Sequence, residues 1–262
     1  MNTENSIKYL DFCHQLANAA DKISMPSFVE QKNLTIEKKT DGSFVTQADK
    51  QIEEHLSAMI NSKFPSHGFF GEETAHKNAE SDFKWIIDPI DGTHGFMRGM
   101  PIWATLIALE YNQEIITSMI SAPALGSRWW AAKNHGAFKS FKEQISKIEV
   151  STISQISESH ILFTGIKECL KKWPKFQIIL NQAWRERGLG DFWGHCLVAE
   201  GVAESMLDPI VNTWDVAALH LLVSEAGGTM TNESGIKSYT SGHAISSNKS
   251  IHSKIIATLT NL

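Results

Sequence analysis

A chain of 262 residues can bury a large core, as one α/β unit or as two packed subdomains. With 42% hydrophobic and 20% charged residues it has the composition of an ordinary globular protein, and its formal charge of −5 gives no long-range attraction to nucleic acid or an anionic membrane, leaving only a local basic patch as a route to either. Cys13, Cys169 and Cys196 lie far apart with no CxxC pair, so neither a disulfide framework nor a zinc knuckle is indicated.

The opening stretch "MNTENSIKYLDFCHQLANAADK" lacks the apolar core of a signal peptide, and no window approaches the ~20 apolar residues of a membrane span. The expectation is a cytoplasmic protein with no membrane partner. Ile7, Leu10, Leu16, Ala20 and Ile23 recur at helical spacing, and Pro26 is expected to stop that helix. "LTIEKK" reads as a strand entering a Thr-Asp-Gly turn at 40–42. Thr46 then caps a helix with the stripe Ile52, Leu56, Met59 and Ile60. From 69 to 131, short apolar runs ("FF", "WII", "IWATLIALE", "IITSMISAP", "RWWAA") predict mostly strand, and Asn134-His135-Gly136 supplies turn chemistry.

After about residue 150 the rhythm alternates. It runs through strand "HILF", helical stretches near 166–186, "GHCLVAEG" and strand "ESML" to a helix over about 214–226 ending at a glycine pair. Strand-like "TMT" and "HAISS" and a final helix follow. The plan is an α+β N-terminal half, 1–150, and an α/β C-terminal half, 151–262, packed in layers with a seam near 145–155.

There is no GxxxxGK[ST] loop, GxSxG elbow or HExxH. "GLGDFWG" at 188–194 is one residue too long for GxGxxG and, on its pattern, opens no clear helix after a strand. The positive signal is a set of carboxylates at element ends: Glu72 after "FFG", Asp88 and Asp91 after "WII", and Asp215 in the first turn of a helix that Thr213 is expected to cap. Hard divalent ions such as Mg²⁺ take about six oxygen ligands, drawn from a few carboxylates, water and substrate phosphate. Pro89 restricts Asp88 to extended backbone, which allows Asp88 and Asp91 to bridge two metal ions with the Ile90 carbonyl as a further ligand. Gly92 and Thr93 then offer N–H groups at a helix start, a seat for phosphate.

Singly, each has an ordinary reading: "DPIDG" a turn, Asp215 a residue favoured by the helix dipole, Asp49 half of a capping box with Thr46, Glu72 an exposed charge. Their joint order changes the odds. "GEE" (71–73), "WIIDPIDGT" (85–93) and "WDVAA" (214–218) resemble the signatures of the inositol monophosphatase family of Mg²⁺-dependent sugar and polyol phosphatases, with "DGSFVTQAD" (41–49) and "AGG" (226–228) extending the likeness. "GMPIWATLIALE", "SAPALGSRWWAA", "GDFWGHCLVAEG" and "LDPIVNTWDVAAL" resemble its histidinol-phosphate phosphatase branch.

The resemblance implies a layered α-β-α-β-α sandwich and two or three Mg²⁺ ions held by Glu72, Asp88, Asp91, Asp215 and the Ile90 carbonyl. By the same likeness, Glu72 and Thr93 position the attacking water, Asp49 supports Thr93, and no phosphoenzyme forms. The small-molecule substrate would be histidinol phosphate, on the route to histidine, with a broader inositol-monophosphatase type as the alternative. A partner of the transcription machinery is a third reading, which the acidic balance does not favour. Substrate contacts fall to Gly92, Thr93, His94, Asp191 and Asp208; Asp191 is equally a helix-capping turn residue, and His94 a packing residue beside the phosphate. The 38–42 turn is either a mobile lid or a solvated charged turn. Relatives imply a homodimer, with Trp103, Trp129 and Trp130 as core or interface.

Overall fold

The opening stripe folds as α1 (Glu4–Ile7) and α2 (Leu10–Val29) in the computed structural model, which describes residues 4–30, 34–40, 42, 44–74 and 77–260. Asp41 of the 38–42 turn lies outside the described residues. Helix α2 continues through Pro26, the expected stop, because a proline so near the C-terminus forfeits a single helical N–H. The Glu30 N–H then closes the last turn on the Pro26 carbonyl at 2.9 Å. Strand β1 (Ile36–Lys38) pairs antiparallel with β2 (Phe44–Thr46) and leads into α3 (Gln47–Lys63). Thr46 caps α3 as expected, and Asp49 returns the bond, its Oδ2 accepting the Thr46 N–H at 2.8 Å.

Seven strands form one sheet in chain order: β3 (Gly68–Gly71), β4 (Phe83–Asp91), β5 (Ala104–Tyr111), β6 (Glu114–Ala122), β7 (Ser127–Ala132), β8 (Gly136–Phe141) and β9 (Gln144–Ile148). All pairs are antiparallel except β3 with β4. Between β4 and β5 the chain makes a single short helix, α4 (Thr93–Met97).

The second sheet uses β10 (His160–Phe163), β11 (Arg185–Gly188), β12 (Ser205–Asp208), β13 (Thr229–Thr231) and β14 (Ala244–Ser247) in the order β11-β10-β12-β14-β13. Helices α5 (Ile166–Lys172), α6 (Phe176–Gln182) and α9 (Lys249–Thr260) cover its outer face, while α7 (Asp191–Ala199) and α8 (Thr213–Glu225) fill the space between the sheets. Helices α2 and α3 cover the far side of the seven-stranded sheet, which completes the layered α-β-α-β-α arrangement.

Two local expectations change. The span 166–186 is not helical throughout: β11 begins at Arg185, an edge strand exposed at all four residues and therefore without apolar alternation. "GLGDFWG" accordingly does follow a strand and does open a helix, α7. Helix α8 is capped by Asn212 rather than Thr213, since Asn212 has the extended backbone of an N-cap and its N–H donates to Asp215 Oδ2 at 2.6 Å. Trp103, Trp129 and Trp130 are buried within the single chain, so they belong to the core and present no face to a second copy. Among the described residues no helix is long and apolar enough to cross a membrane.

Candidate active site

Strand β4 is covered on both faces, so it reads as a continuous apolar run. Trp85 and Ile87 enter the core under α2 and α3, whereas Ile86 points into the core between the sheets. Asp88 shares the face of Ile86 and is aimed at α8. Three residues further on, a regular strand would place Asp91 on the opposite face. The pairing register shifts between Asp88 and Asp91, where Pro89 has no N–H for the ladder, and this bulge brings the second carboxylate round to the first. Asp215, in the first turn of α8, meets them from across the layer. One carboxylate oxygen from each of Asp88, Asp91 and Asp215 lies within 4.8 Å of the others.

Each carboxylate is aimed by the backbone. The Phe192 N–H donates to Asp91 Oδ2 at 2.7 Å, and Asn212 holds Asp215. Asp88 Oδ1 is buried with no hydrogen-bond partner. Burial, then the charges of Glu72, Asp91 and Asp215, hold the Asp88 carboxyl well above the usual range. Burial and the carboxylates of Asp191 and Asp215 do the same to Asp91, and burial pushes Asp215 up to about 7. Three clustered acids, one with an orphaned oxygen, fit the donor set of a hard divalent cation.

Glu72 lies beside this trio but is turned to Lys39, whose ammonium is 2.8 Å from Glu72 Oε1 and also pairs with Glu73. Burial opposes the Lys39 charge, yet Glu72 and Glu73 hold it above the ordinary lysine range. The turn containing Lys39 is thus tied to the acidic rim rather than simply solvated. The loop 72–74 is fixed from below by Glu53, fully buried on α3, which accepts the N–H groups of Glu73 at 2.8 Å and Thr74 at 2.7 Å. Thr93 donates to the Ile90 carbonyl at 2.8 Å and reaches Asp49 Oδ1 only at 3.5 Å, so its main partner is Ile90. Burial pushes Asp49 up to about 6. Gly92 takes φ +84°, and an added Cβ would lie 2.9 Å from the Ile102 carbonyl.

A cavity of about 450 Å³ opens beside Asp91 and Asp215 and carries His94, Asp191 and Asp208 in its wall. Thr164, Glu168 and His195 line it too; Thr164 and Glu168 have no sequence signal, and His195 has only its place inside "GDFWGHCLVAEG". Asp208 Oδ1 accepts from Thr164 Oγ1 at 3.1 Å, and burial pushes Asp208 up to about 8. Asp191 has φ +54° at the first position of α7, and burial raises its carboxyl while His94 lowers it. His94 packs edge-on against Phe44, with ring centroids 5.3 Å apart. The left-handed backbone at Asp191 is one that Asp adopts more readily than most residues, and the side chain lines the cavity. The lining contains no Lys or Arg.

A model of the inositol monophosphatase family matches residues 8–262. The histidinol-phosphatase of Streptomyces coelicolor is 36% identical over 261 residues, covering 96% of this chain and 97% of that protein. The histidinol-phosphatase of Mycobacterium tuberculosis is 35% identical, covering 93% and 95%. Among solved structures, the extragenic suppressor protein suhB from Bartonella henselae superposes with a TM-score of 0.88 at 25% identity, covering 97% of this chain and 98% of that one. With that match spanning both sheets and every element that brings a carboxylate to the cluster, the chain belongs to the inositol monophosphatase family.

Proposed function

We propose that this phosphoric monoester hydrolase is a Mg²⁺-dependent histidinol-phosphate phosphatase, releasing phosphate from histidinol phosphate. The family is Mg²⁺-dependent, and the donor set fits that ion. One observation carries the substrate choice: the cavity beside the Asp trio is lined by Asp191, Asp208 and Glu168 and by no lysine or arginine. An uncharged polyol does not need that excess of carboxylate. An alcohol bearing an ammonium and an imidazole does, and it relieves the burial that raises Asp208.

Asp88, Asp91 and Asp215, with the Ile90 carbonyl and Glu72, would hold the metal, in two or three sites. Bound there, Mg²⁺ supplies charge to the phosphoryl oxygens and acidifies the attacking water. The protein's own part is orientation. The Gly92–Thr93 turn presents backbone N–H groups to the phosphate, the Thr93 hydroxyl and Glu72 position water, and Asp49 stiffens that corner through Thr46. Asp191, Asp208 and Glu168 hold the cationic end of the leaving alcohol, and His94, edge-on to Phe44, lines the same cavity.

The same reading assigns 1–150 and 151–262 to two subdomains, supported by the first sheet ending at Ile148 and the second beginning at His160, and it places a homodimer in the cytoplasm. The test is phosphate release from histidinol phosphate and myo-inositol 1-phosphate side by side, with Mg²⁺ and with EDTA. A higher kcat/KM for the inositol ester would replace the proposal with a broad-range inositol monophosphatase.

A further inference from the structure

His195 lies four residues after Asp191 on α7, and therefore on the same face one turn deeper. Ser246 lies two residues beyond Ala244 on β14, and Ala244 pairs directly with Asp208. The His195–Ser246 contact is thus the layer immediately beneath Asp191 and Asp208. Ser246 Oγ meets Nδ1 of the ring, and the Ser246 carbonyl is separately fixed by Ser205 Oγ at 2.8 Å. The ring also lines the active-site cavity. It is 1% exposed, and its Nε2 is buried without a hydrogen-bond partner. Burial holds the ring neutral, with a pKa lowered to about 3.

A neutral imidazole anchored at one nitrogen leaves the other with one unmade hydrogen bond, which is costly in a packed interior unless something completes it. Among the described residues no protein group does. A Ser246 Oγ–H donating to Nδ1 would put the ring proton on Nε2, in the layer beneath Asp191 and Asp208. We propose that His195 is a specificity-determining residue: from the floor of the cavity its Nε2–H donates to an acceptor atom of the leaving alcohol, directly or through one water, once substrate fills the site. This rests on the phosphatase reading above and adds that the alcohol carries an acceptor remote from its phosphate, as a neutral imidazole nitrogen does.

The experiment compares wild type, His195→Gln, His195→Phe and Ser246→Ala, each with Mg²⁺, on histidinol phosphate and on phenyl phosphate, whose leaving alcohol carries no remote acceptor, with melting temperatures to report folding. His195→Phe should lower kcat/KM for histidinol phosphate about tenfold, the cost of one hydrogen bond, chiefly through KM, and leave the aryl ester within about threefold. His195→Gln, which keeps a donor, should recover part of the loss. Ser246→Ala, which only unlocks the ring, should show the same bias in smaller measure. Equal losses on both esters, or no loss on either, would overturn the assignment and leave His195 a packing residue. Should His195→Phe fail to fold, the glutamine and Ser246 variants decide it by the same ratio. Wild-type turnover of histidinol phosphate separately tests the substrate reading: if it is absent, the same ratio is measured with myo-inositol 1-phosphate, whose ring hydroxyls are also acceptors.

Discussion

The backbone N–H of Phe192 donates to Oδ2 of Asp91 at 2.7 Å, fastening the first turn of α7 to the last residue of β4. One oxygen of Asp91 is thereby committed to the protein, and the other is left to the cluster. This bond helps register the wall that carries Asp191 to the strand that carries Asp88 and Asp91. Replacing Asp191 with Asn should leave that backbone bond intact and act only through the lost charge. KM for histidinol phosphate should rise by about tenfold, and that for a neutral phosphate ester should change little. Steady-state kinetics on both esters check it; equal rises would make Asp191 structural.

Asp88→Asn should lower kcat by about 100-fold or more, since a lost ligand removes stabilisation specific to the transition state. Without metal the same variant should melt at the wild-type temperature or above it. Its amide cannot ionise, so it removes a carboxyl whose charged form burial and the neighbouring Glu72, Asp91 and Asp215 disfavour. Thermal melts with and without Mg²⁺ distinguish this from unfolding, because only the wild type should gain strongly from the ion.

Mg²⁺ should raise the wild-type melting temperature in proportion to the logarithm of its free concentration above Kd, and EDTA should reverse the gain. The cause is electrostatic: three raised carboxyls are neutralised together. A melt insensitive to Mg²⁺ would count against the cluster as a metal site.

Gly92→Ala should destabilise the protein by about 1–3 kcal/mol and depress kcat/KM on every ester alike. The new Cβ would meet the Ile102 carbonyl at 2.9 Å while φ stays at +84°. Denaturant unfolding measures the first effect and phosphate release the second.

His252 bonds hydroxyls at both nitrogens, Thr231 at 2.8 Å and Ser247 at 2.7 Å, and burial lowers its pKa to about 4. Its folded pKa is depressed, so the unfolded chain binds the extra proton between about pH 6.5 and 4. The ring's contribution is complete above about pH 6.5 and is lost as pH falls toward 4. His252→Gln should therefore be less stable than wild type at pH 8, with the gap closing by about 1–2 kcal/mol at pH 5. Paired melts at the two pH values test this, because the titrating carboxylates are common to both proteins and cancel.

Much of this architecture is legible in the residues, wherever local chemistry and tertiary need coincide. Thr46 and Asp49 announce a capping box and form one; "WIIDPID" announces a buried strand ending in acids and is one. What stayed hidden depends on distant partners. "RERG" becomes a strand only because β10 offers it an edge. Glu53 looks like an exposed helical charge, although its spacing from Asp49 puts both acids on one face of α3; loop 72–74 folds over it from β3. Glu168 carries no motif, and His195 sits inside "GDFWGHCLVAEG" without that stretch singling it out. They enter the cavity because α5 and α7 converge on the end of β12. The bulge at Pro89 turns a spacing that should separate two side chains into one that unites them.

Helix α8, between the two sheets, delivers Asp215 to acids that β4 has already placed. During synthesis the strand carrying Asp88 and Asp91 emerges long before that helix. A half-made chain therefore holds Asp88 and Asp91 beside Glu72 but lacks Asp215, the carboxylate that closes the cluster. The Asp88–Asp91–Asp215 cluster is thus complete only once α8 has packed between the two sheets, so a cation bound there would favour the assembled chain over the half-made one.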